Sequence, residues 1–182
     1  MAPAEREMQA FYFMVVFWGP VYRAYFTELL VASLLSPKNV PAVGMERRNR
    51  FLIVTTREDW EALQANETFQ SLRHCVEPVW FEMPFPAAAE PKMLVMSRGH
   101  RQVAERAFKD RAYGVFLTPD LILSDGSVAA MERLVRAGKK VVLGCHSLPA
   151  RDDAGGDEAQ GISQTAAATY DLFARPHAHR AP

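Results

Sequence analysis

The residues with the clearest potential for ligand chemistry follow an apolar run in the second half of the chain. Gly114–Leu117 leads into a Thr118-Pro119-Asp120 corner, and Asp125 follows a few residues later. In an open α/β sheet, ligands bind outside the carboxyl ends of the strands. Carboxylate oxygens are also the ligands that hard divalent cations prefer. An acidic corner at a strand end therefore predicts a site for a cation and, through it, a phosphate.

Turn formation and capping explain the same residues without a ligand. Pro-Asp is a common turn pair, so Asp120 could serve the turn alone. Asp125 stands directly before Gly126, which fits a turn followed by a helix cap. Trp18 and Tyr22 fit core positions as well as they fit stacking on a base. Both interpretations stay open at this point.

Alternating apolar runs and helical periodicities predict the elements that position this corner. The predicted strands are Tyr12–Trp18, Phe51–Thr55, Val79–Met83, Tyr113–Thr118 and Lys140–Gly144. The predicted helices are Val21–Leu35, Arg57–Ala65, Asn66–Leu72, Lys92–Arg111 and Ser127–Ala137. This alternation predicts an α/β fold with an open, mostly parallel, Rossmann-like sheet of about five strands and helices on both faces.

The connecting segments carry polar residues with two interpretations each. A loop is predicted over Asn39–Arg50, and its basic segment Arg47–Arg50 could clamp a diphosphate or simply face solvent. Thr56 is a predicted N-cap with Asp59 at the third helical position, a variant of the capping box. Capping accounts for both residues without any ligand.

Composition bounds the class of protein. The chain has 182 residues, of which 49% are hydrophobic, enough for one globular domain with a sizeable core. We expect that domain over residues 1–150. Residues 151–182 are expected to form a flexible, Gly/Asp-rich tail with one short helix at Thr165–Phe173. A formal net charge of zero argues against a nucleic-acid partner that needs a basic surface.

Other features indicate a cytoplasmic protein. The apolar run Ala10–Trp18 is shorter than the roughly 20 residues of a membrane-spanning helix. Cys75 and Cys145 form no Cys-x-x-Cys motif, so reduced thiols are expected. Glycine-rich dinucleotide, Walker-type and nucleophile-elbow motifs are all absent from the sequence, which argues against dehydrogenases, P-loop enzymes and ordinary α/β-hydrolases.

A helix and a strand in the second half of the chain resemble the nucleotide-sugar-dependent glycosyltransferases of the GT-A fold. In that family an Ala-rich helix precedes a hydrophobic strand ending in Asp-x-Asp, which binds a divalent cation bridging the sugar-nucleotide diphosphate. Gly99–Ala107 is similar to the helix, Val115–Leu123 to the motif strand, and Ser127–Leu134 to the helix that follows. Thr118 stands at the first acidic position, and Asp120 matches the second.

The resemblance also implies which residues contact a ligand. In GT-A enzymes the end of the first strand touches the nucleotide and the end of the second often touches its base. The implied nucleotide contacts are Trp18, Gly19, Thr55, Thr56 and Thr118, and the implied ligands of Mg²⁺ or Mn²⁺ are Asp120 and Asp125. The likeness extends over about Tyr12–Leu148 but includes no acceptor-binding half, which supplies the catalytic base in inverting enzymes. It therefore implies a glycosyltransferase-like protein of reduced or no activity, with no assignable catalytic residue.

Three hypotheses follow. The first is a protein that binds a nucleotide-diphosphate sugar through a divalent cation, as a glycosyltransferase if active. The second is a non-catalytic α/β binding module that self-associates or pairs with another chain. The third is an unrelated doubly wound enzyme for a small phosphorylated substrate, with its crevice away from Asp120.

Overall fold

The sheet of this protein has four parallel strands in the part of the chain that the structure describes. The computed structural model describes residues 10–43 and 48–140. The strands are β1 (Phe11–Val16), β2 (Arg50–Thr55), β3 (Glu77–Glu82) and β4 (Tyr113–Phe116). They pair in the order β3-β2-β1-β4, and every pairing is parallel. The predicted α/β class is confirmed with four strands rather than about five; residues 141–144 of the predicted fifth strand lie outside the described residues.

Helices follow the strands as the alternation predicts. They are α1 (Pro20–Tyr25), α2 (Ala32–Leu34), α3 (Val40–Val43), α4 (Arg57–Gln64), α5 (Glu67–Arg73), α6 (Lys92–Lys109) and α7 (Ser127–Arg136), with a π-helical segment at Phe26–Val31 between α1 and α2. The helix α3 corrects the predicted loop over Asn39–Arg50. It forms because Asn39 is fully buried and its side chain bonds Ser33 O at 2.9 Å and the N–H of Val128 at 3.1 Å. These two bonds fix the start of the short helix.

Contact density divides the chain within α7, after Ala130. The sheet and helices up to that point form the first unit. The second unit begins at Met131. Within its described residues, Arg136 Nη2 lies 2.8 Å from a carboxylate oxygen of Glu132, one helical turn away.

Aromatic side chains cover one face of the sheet. Phe26, from the π-helical segment, is fully buried and lies 4.9 Å from Phe17, 5.6 Å from Phe51 and 6.2 Å from Phe69 between ring centroids. Each such side chain contributes about 1.5–3 kcal/mol by burial. This cluster holds the helices after β1 and β2 against the sheet.

Helix α6 covers the opposite face. Its buried residues Val95, Val103 and Ala107 pack with Met14, Val16, Leu52 and Val54 of the central strands. Gly99 makes the closest approach, since a Cβ there would lie 2.8 Å from Val16 Cγ1 and 3.3 Å from Val54 Cγ1. The first half of α6 therefore lies directly on the carboxyl ends of β1 and β2. Among the described residues, no helix is long and apolar enough to cross a membrane.

Candidate functional site

The strand order creates a switch point between β1 and β4. The chain moves from β1 through β2 to β3 on one side, then crosses to β4 on the other. Ligands of open α/β sheets bind at such a point, outside the carboxyl ends of the strands. Sheet hydrogen bonds continue one residue past the ends of β1 and β4. Phe17 N donates to Val54 O at 3.1 Å, and Leu117 N donates to Met14 O at 2.9 Å. The loops that follow are the ones that carry Trp18 and Asp120.

The sequence-predicted residues therefore converge on one edge of the sheet. Trp18 and Gly19 follow β1, Thr55 and Thr56 end β2, and Thr118 and Asp120 follow β4. Trp18 is half-buried and packs against the cluster beneath α6, so part of its ring remains at the surface. Thr118 is exposed. We call this region the carboxyl edge.

Asp120 is the residue at this edge best placed to hold a cation. Its side chain is exposed, and its carboxylate has no partner among the described residues. The preceding Pro119 is buried, and Leu121 N donates to Thr118 O at 3.1 Å, so the corner is a closed turn. The turn presents the carboxylate to solvent with all its lone pairs free.

Asp125 has a structural bond instead. Its Oδ1 accepts the backbone N–H of Lys38 at 2.8 Å, which joins the segment before α3 to the segment before α7. Asp125 Oδ2 has no partner among the described residues, so it could contact a cation while Oδ1 keeps its bond to Lys38 N. No group of three or more His, Cys, Asp or Glu residues that could hold a metal ion occurs in residues 10–43 and 48–140.

The buried carboxylate of Asp59 accepts hydrogen bonds from polar groups of the segments after β1 and β2. Asp59 is 2% exposed, and its Oδ2 accepts the Gly19 N–H at 2.7 Å and the Thr56 hydroxyl at 2.8 Å. Its Oδ1 accepts Arg23 Nη1 at 2.7 Å. The Gly19 N–H and the Thr56 hydroxyl therefore bind Asp59 in this structure, and a phosphate could take them only by displacing it.

Thr55 is also turned inward. Its side chain is fully buried, its hydroxyl has no hydrogen-bond partner, and its carbonyl accepts Trp80 Nε1 at 3.2 Å and Met83 N at 3.1 Å. The Thr55 hydroxyl is buried and the Thr56 hydroxyl is bonded to Asp59, so neither side chain is available to a base at the carboxyl edge. Contacts to a base must come from other residues.

A concave region, which we call the α6 cleft, lies beside the carboxyl ends of β2 and β3. It has a volume of about 200 Å³, and its apolar wall is formed by Val54, Met83 and Val95. Its polar rim is formed by Glu82, Glu90, Arg98 and Gln102. Sequence reasoning missed this cleft because it treated Phe85–Pro91 only as a loop and gave the outer face of α6 no function.

Two ion pairs organise the rim. Arg98 Nη1 donates to Glu90 Oε1 across the cleft, and Arg57 Nη2 donates to Glu82 Oε2 at 2.7 Å beside it. Glu90 is positioned by a turn in which its N–H donates to Ala87 O at 2.9 Å. The rim therefore combines a guanidinium, two carboxylates and an amide around an apolar wall.

Arg50, the last residue of the basic segment and the first of β2, lies at the edge of the sheet opposite the carboxyl edge, and Arg47 lies outside the described residues. Arg50 Nε binds Glu77 at 2.9 Å, and its Nη1 donates to the Tyr12 hydroxyl at 3.2 Å, in a network that includes Asp110. Burial, and then the hydrogen bond to Asp110, raises the pKa of Tyr12. The bond from Arg106, and then that from Tyr12, lowers the pKa of Asp110. Arg50 therefore joins elements at the amino edge and does not serve the carboxyl edge.

Comparison of the chain with protein-family models, with curated proteins and with solved structures finds no match. The resemblance to GT-A glycosyltransferases consequently rests on the quoted residues alone.

Proposed function

We propose that this protein binds a nucleotide-diphosphate sugar at the carboxyl edge, with Asp120 contacting a divalent cation on the diphosphate. One observation carries the proposal: the loops after β1 and β4 follow neighbouring strands at the switch point, and the loop after β4 presents an unpartnered, exposed carboxylate. The corner is the same one that resembles the GT-A motif strand.

A single free carboxylate is compatible with the cation. Mg²⁺ usually keeps several waters in proteins and is bound by one or two carboxylates together with substrate phosphates. Asp120 is the residue that would hold it, with Asp125 as a second contact through its free oxygen. The cation and the diphosphate should then bind together, because neither Asp120 nor a phosphate alone completes the ligand set.

Binding, rather than sugar transfer, is the function proposed. Neither Asp59 nor Asp120 is available as a general base, because Asp59 is buried and fully hydrogen-bonded and Asp120 would hold the cation. The third hypothesis has less support, since the switch in strand order lies next to the strand that Asp120 follows rather than away from it.

The binding-module hypothesis is kept as a second candidate because of exposed aromatic side chains. Phe108 is 84% exposed and Phe116 is 58% exposed. Aromatic residues are enriched in protein interfaces. Sedimentation across a range of protein concentrations tests it: concentration-dependent dimerisation that Phe108→Ser abolishes, with no response to nucleotides, would favour the module.

A thermal-shift screen tests the proposal. UDP-, GDP-, dTDP- and CMP-sugars are added with and without Mn²⁺ to the wild type, to Asp120→Ala and to Glu105→Gln, an exposed control carboxylate on α6. A ligand present at 100 times its Kd should raise the wild-type Tm by about 5–10 °C. The rise should require Mn²⁺, disappear in Asp120→Ala and persist in Glu105→Gln. No rise with any sugar nucleotide would overturn the proposal.

A further inference from the structure

The loop that carries Asp120 has no regular structure of its own. It connects β4 to α7, and residues 117–126 belong to neither a helix nor a strand. We infer that Ser33 of α2 and Asn39, which precedes α3, are positioning residues that hold this loop, and with it Asp120, in the conformation that binds the cation. The inference rests on the proposed function and adds residues that the sequence resemblance does not assign.

Ser33 is bonded to the loop through its hydroxyl group. Its Oγ donates to Leu30 O at 2.8 Å within its own helical segment and accepts the Leu123 N–H at 3.1 Å. The second bond joins residues 90 positions apart in the chain. Because Leu123 is three residues after Asp120, this bond restrains the loop directly downstream of the proposed cation ligand.

Asn39 extends the same attachment from a fully buried position. Its Nδ2 donates to Ser33 O at 2.9 Å and to Ser124 O at 3.2 Å, and its Oδ1 accepts the Val128 N–H at 3.1 Å. One amide side chain therefore joins α2 to the loop and to the first turn of α7. A shift of the loop would leave these buried polar groups without partners, so a single loop conformation is favoured.

Main-chain groups fix the loop on both sides of Asp120. Lys38 N donates to Asp125 Oδ1 at 2.8 Å, which holds the downstream end. Leu117 N donates to Met14 O at 2.9 Å, which holds the upstream end on β1. The Asp120 corner is thus bonded to the rest of the first unit before and after the carboxylate.

A fixed loop matters for a cation site that has few protein ligands. Ordering a mobile segment when a ligand binds costs conformational entropy, which lowers affinity. Partners that orient a metal ligand without touching the metal change metal affinity when they are removed. Loss of the Ser33 hydroxyl should therefore weaken cation binding, although Ser33 itself would not contact the cation.

Three variants separate positioning from general stability. Ser33→Ala removes the acceptor of the Leu123 N–H, and Ser33→Thr keeps a hydroxyl at the same position. Ser71→Ala is the matched control, because Ser71 Oγ donates to Glu67 O at 3.1 Å within its own helix, as Ser33 Oγ donates to Leu30 O. The Ser71 hydroxyl forms no bond to another segment of the described chain. Circular dichroism and Tm establish that each variant is folded.

Two measurements are made on each protein. Mn²⁺ is titrated calorimetrically in the presence of saturating UDP, GDP or dTDP, with correction for Mn²⁺ bound to free nucleotide, and amide hydrogen exchange is followed over residues 121–125. We expect Ser33→Ala to bind Mn²⁺ about 10-fold more weakly than the wild type with the nucleotide present, and to exchange faster in this segment. Ser33→Thr and Ser71→Ala should match the wild type in both measurements.

The outcomes distinguish the inference from the proposed function. Unchanged Mn²⁺ affinity in Ser33→Ala overturns the inference and leaves the proposed function standing. An equal loss of affinity in Ser71→Ala or in Ser33→Thr does the same, because the effect would then not depend on the bond between the Ser33 hydroxyl and the loop. No nucleotide-dependent binding of Mn²⁺ by the folded wild type overturns both.

Discussion

At the scale of single residues, Asp59 has a local role that the sequence predicts and long-range hydrogen bonds that it does not predict. The sequence predicts Thr56 as N-cap with Asp59 at the third position, and the structure confirms it, since Thr56 Oγ1 accepts Asp59 N at 3.2 Å. The bonds of Asp59 to Gly19 and Arg23 span 40 and 36 residues. No spacing rule predicts such partners, because they depend on β1 and β2 being neighbours.

Replacing Asp59 should destabilise the fold strongly. Asp59→Ala leaves the Gly19 N–H and the Arg23 guanidinium without their partner, and breaking a buried ion pair costs about 3–5 kcal/mol. Because Arg23 remains a quarter exposed and can be hydrated, we expect a loss of about 3 kcal/mol. Urea unfolding measures it; Glu105→Gln should stay within about 0.5 kcal/mol of the wild type. A similarly small loss in Asp59→Ala would mean that the pair does not hold the two loops together.

His100 gives a prediction of pH dependence. Burial lowers the pKa of His100, whose Nε2 has no hydrogen-bond partner. The unfolded chain, with a His pKa near 6.5, then binds more protons than the folded protein as pH falls through that value. Stability is therefore unaffected by His100 at high pH and is reduced on the acid side.

The variant His100→Gln isolates this contribution. We expect the free energy of unfolding to fall less in the variant than in the wild type between about pH 7.5 and pH 5.5. Urea titrations at the two pH values provide the comparison, which cancels the contribution of all other groups. Identical losses in the two proteins would show that His100 titrates normally.

At the scale of elements, the sequence predicts whether a segment is a helix or a strand better than it predicts the local helix geometry. The ends of the four described strands differ from the predicted ones by two residues at most, because short apolar runs rich in β-branched and aromatic residues mark them. The π-helical turns at Phe26–Val31 could not be predicted, since the spacing of apolar residues there fits an ordinary helix. Tertiary packing of Phe26 and Leu30, both fully buried, determines that local geometry.

Gly99 tests the packing of α6 on the sheet. On propensity alone, Gly99→Ala should stabilise a helix by about 1 kcal/mol. The added Cβ would lie 2.8 Å from Val16 Cγ1, so we expect a net destabilisation of about 1–3 kcal/mol instead. Thermal unfolding shows whether the free energy of unfolding rises or falls in Gly99→Ala. The control is Ser97→Ala, on the exposed side of the same helix, which should stabilise the protein slightly. A more stable Gly99→Ala would indicate that α6 packs less closely than described.

At the scale of the whole molecule, the sequence predicts the class of fold and the edge of the sheet at which the candidate residues lie. Parallel strands place all their carboxyl ends at one edge, so Trp18, Thr55 and Asp120 had to share it. The order β3-β2-β1-β4 could not be predicted, because it depends on which direction each crossover takes. The α6 cleft depends on that order and on the course of the loop before α6, so it had no sequence signal.

Cooperative binding of cation and nucleotide tests the central claim most directly. Mn²⁺ is titrated calorimetrically into the wild type with and without a saturating nucleoside diphosphate, and into Asp120→Asn under the same conditions. We predict weak or undetectable binding of Mn²⁺ alone and binding at least about 10-fold tighter with the nucleotide, with this gain lost in Asp120→Asn. Equal Mn²⁺ affinity with and without the nucleotide, after correction for Mn²⁺ bound to free nucleotide, or an unchanged gain in Asp120→Asn would contradict the account.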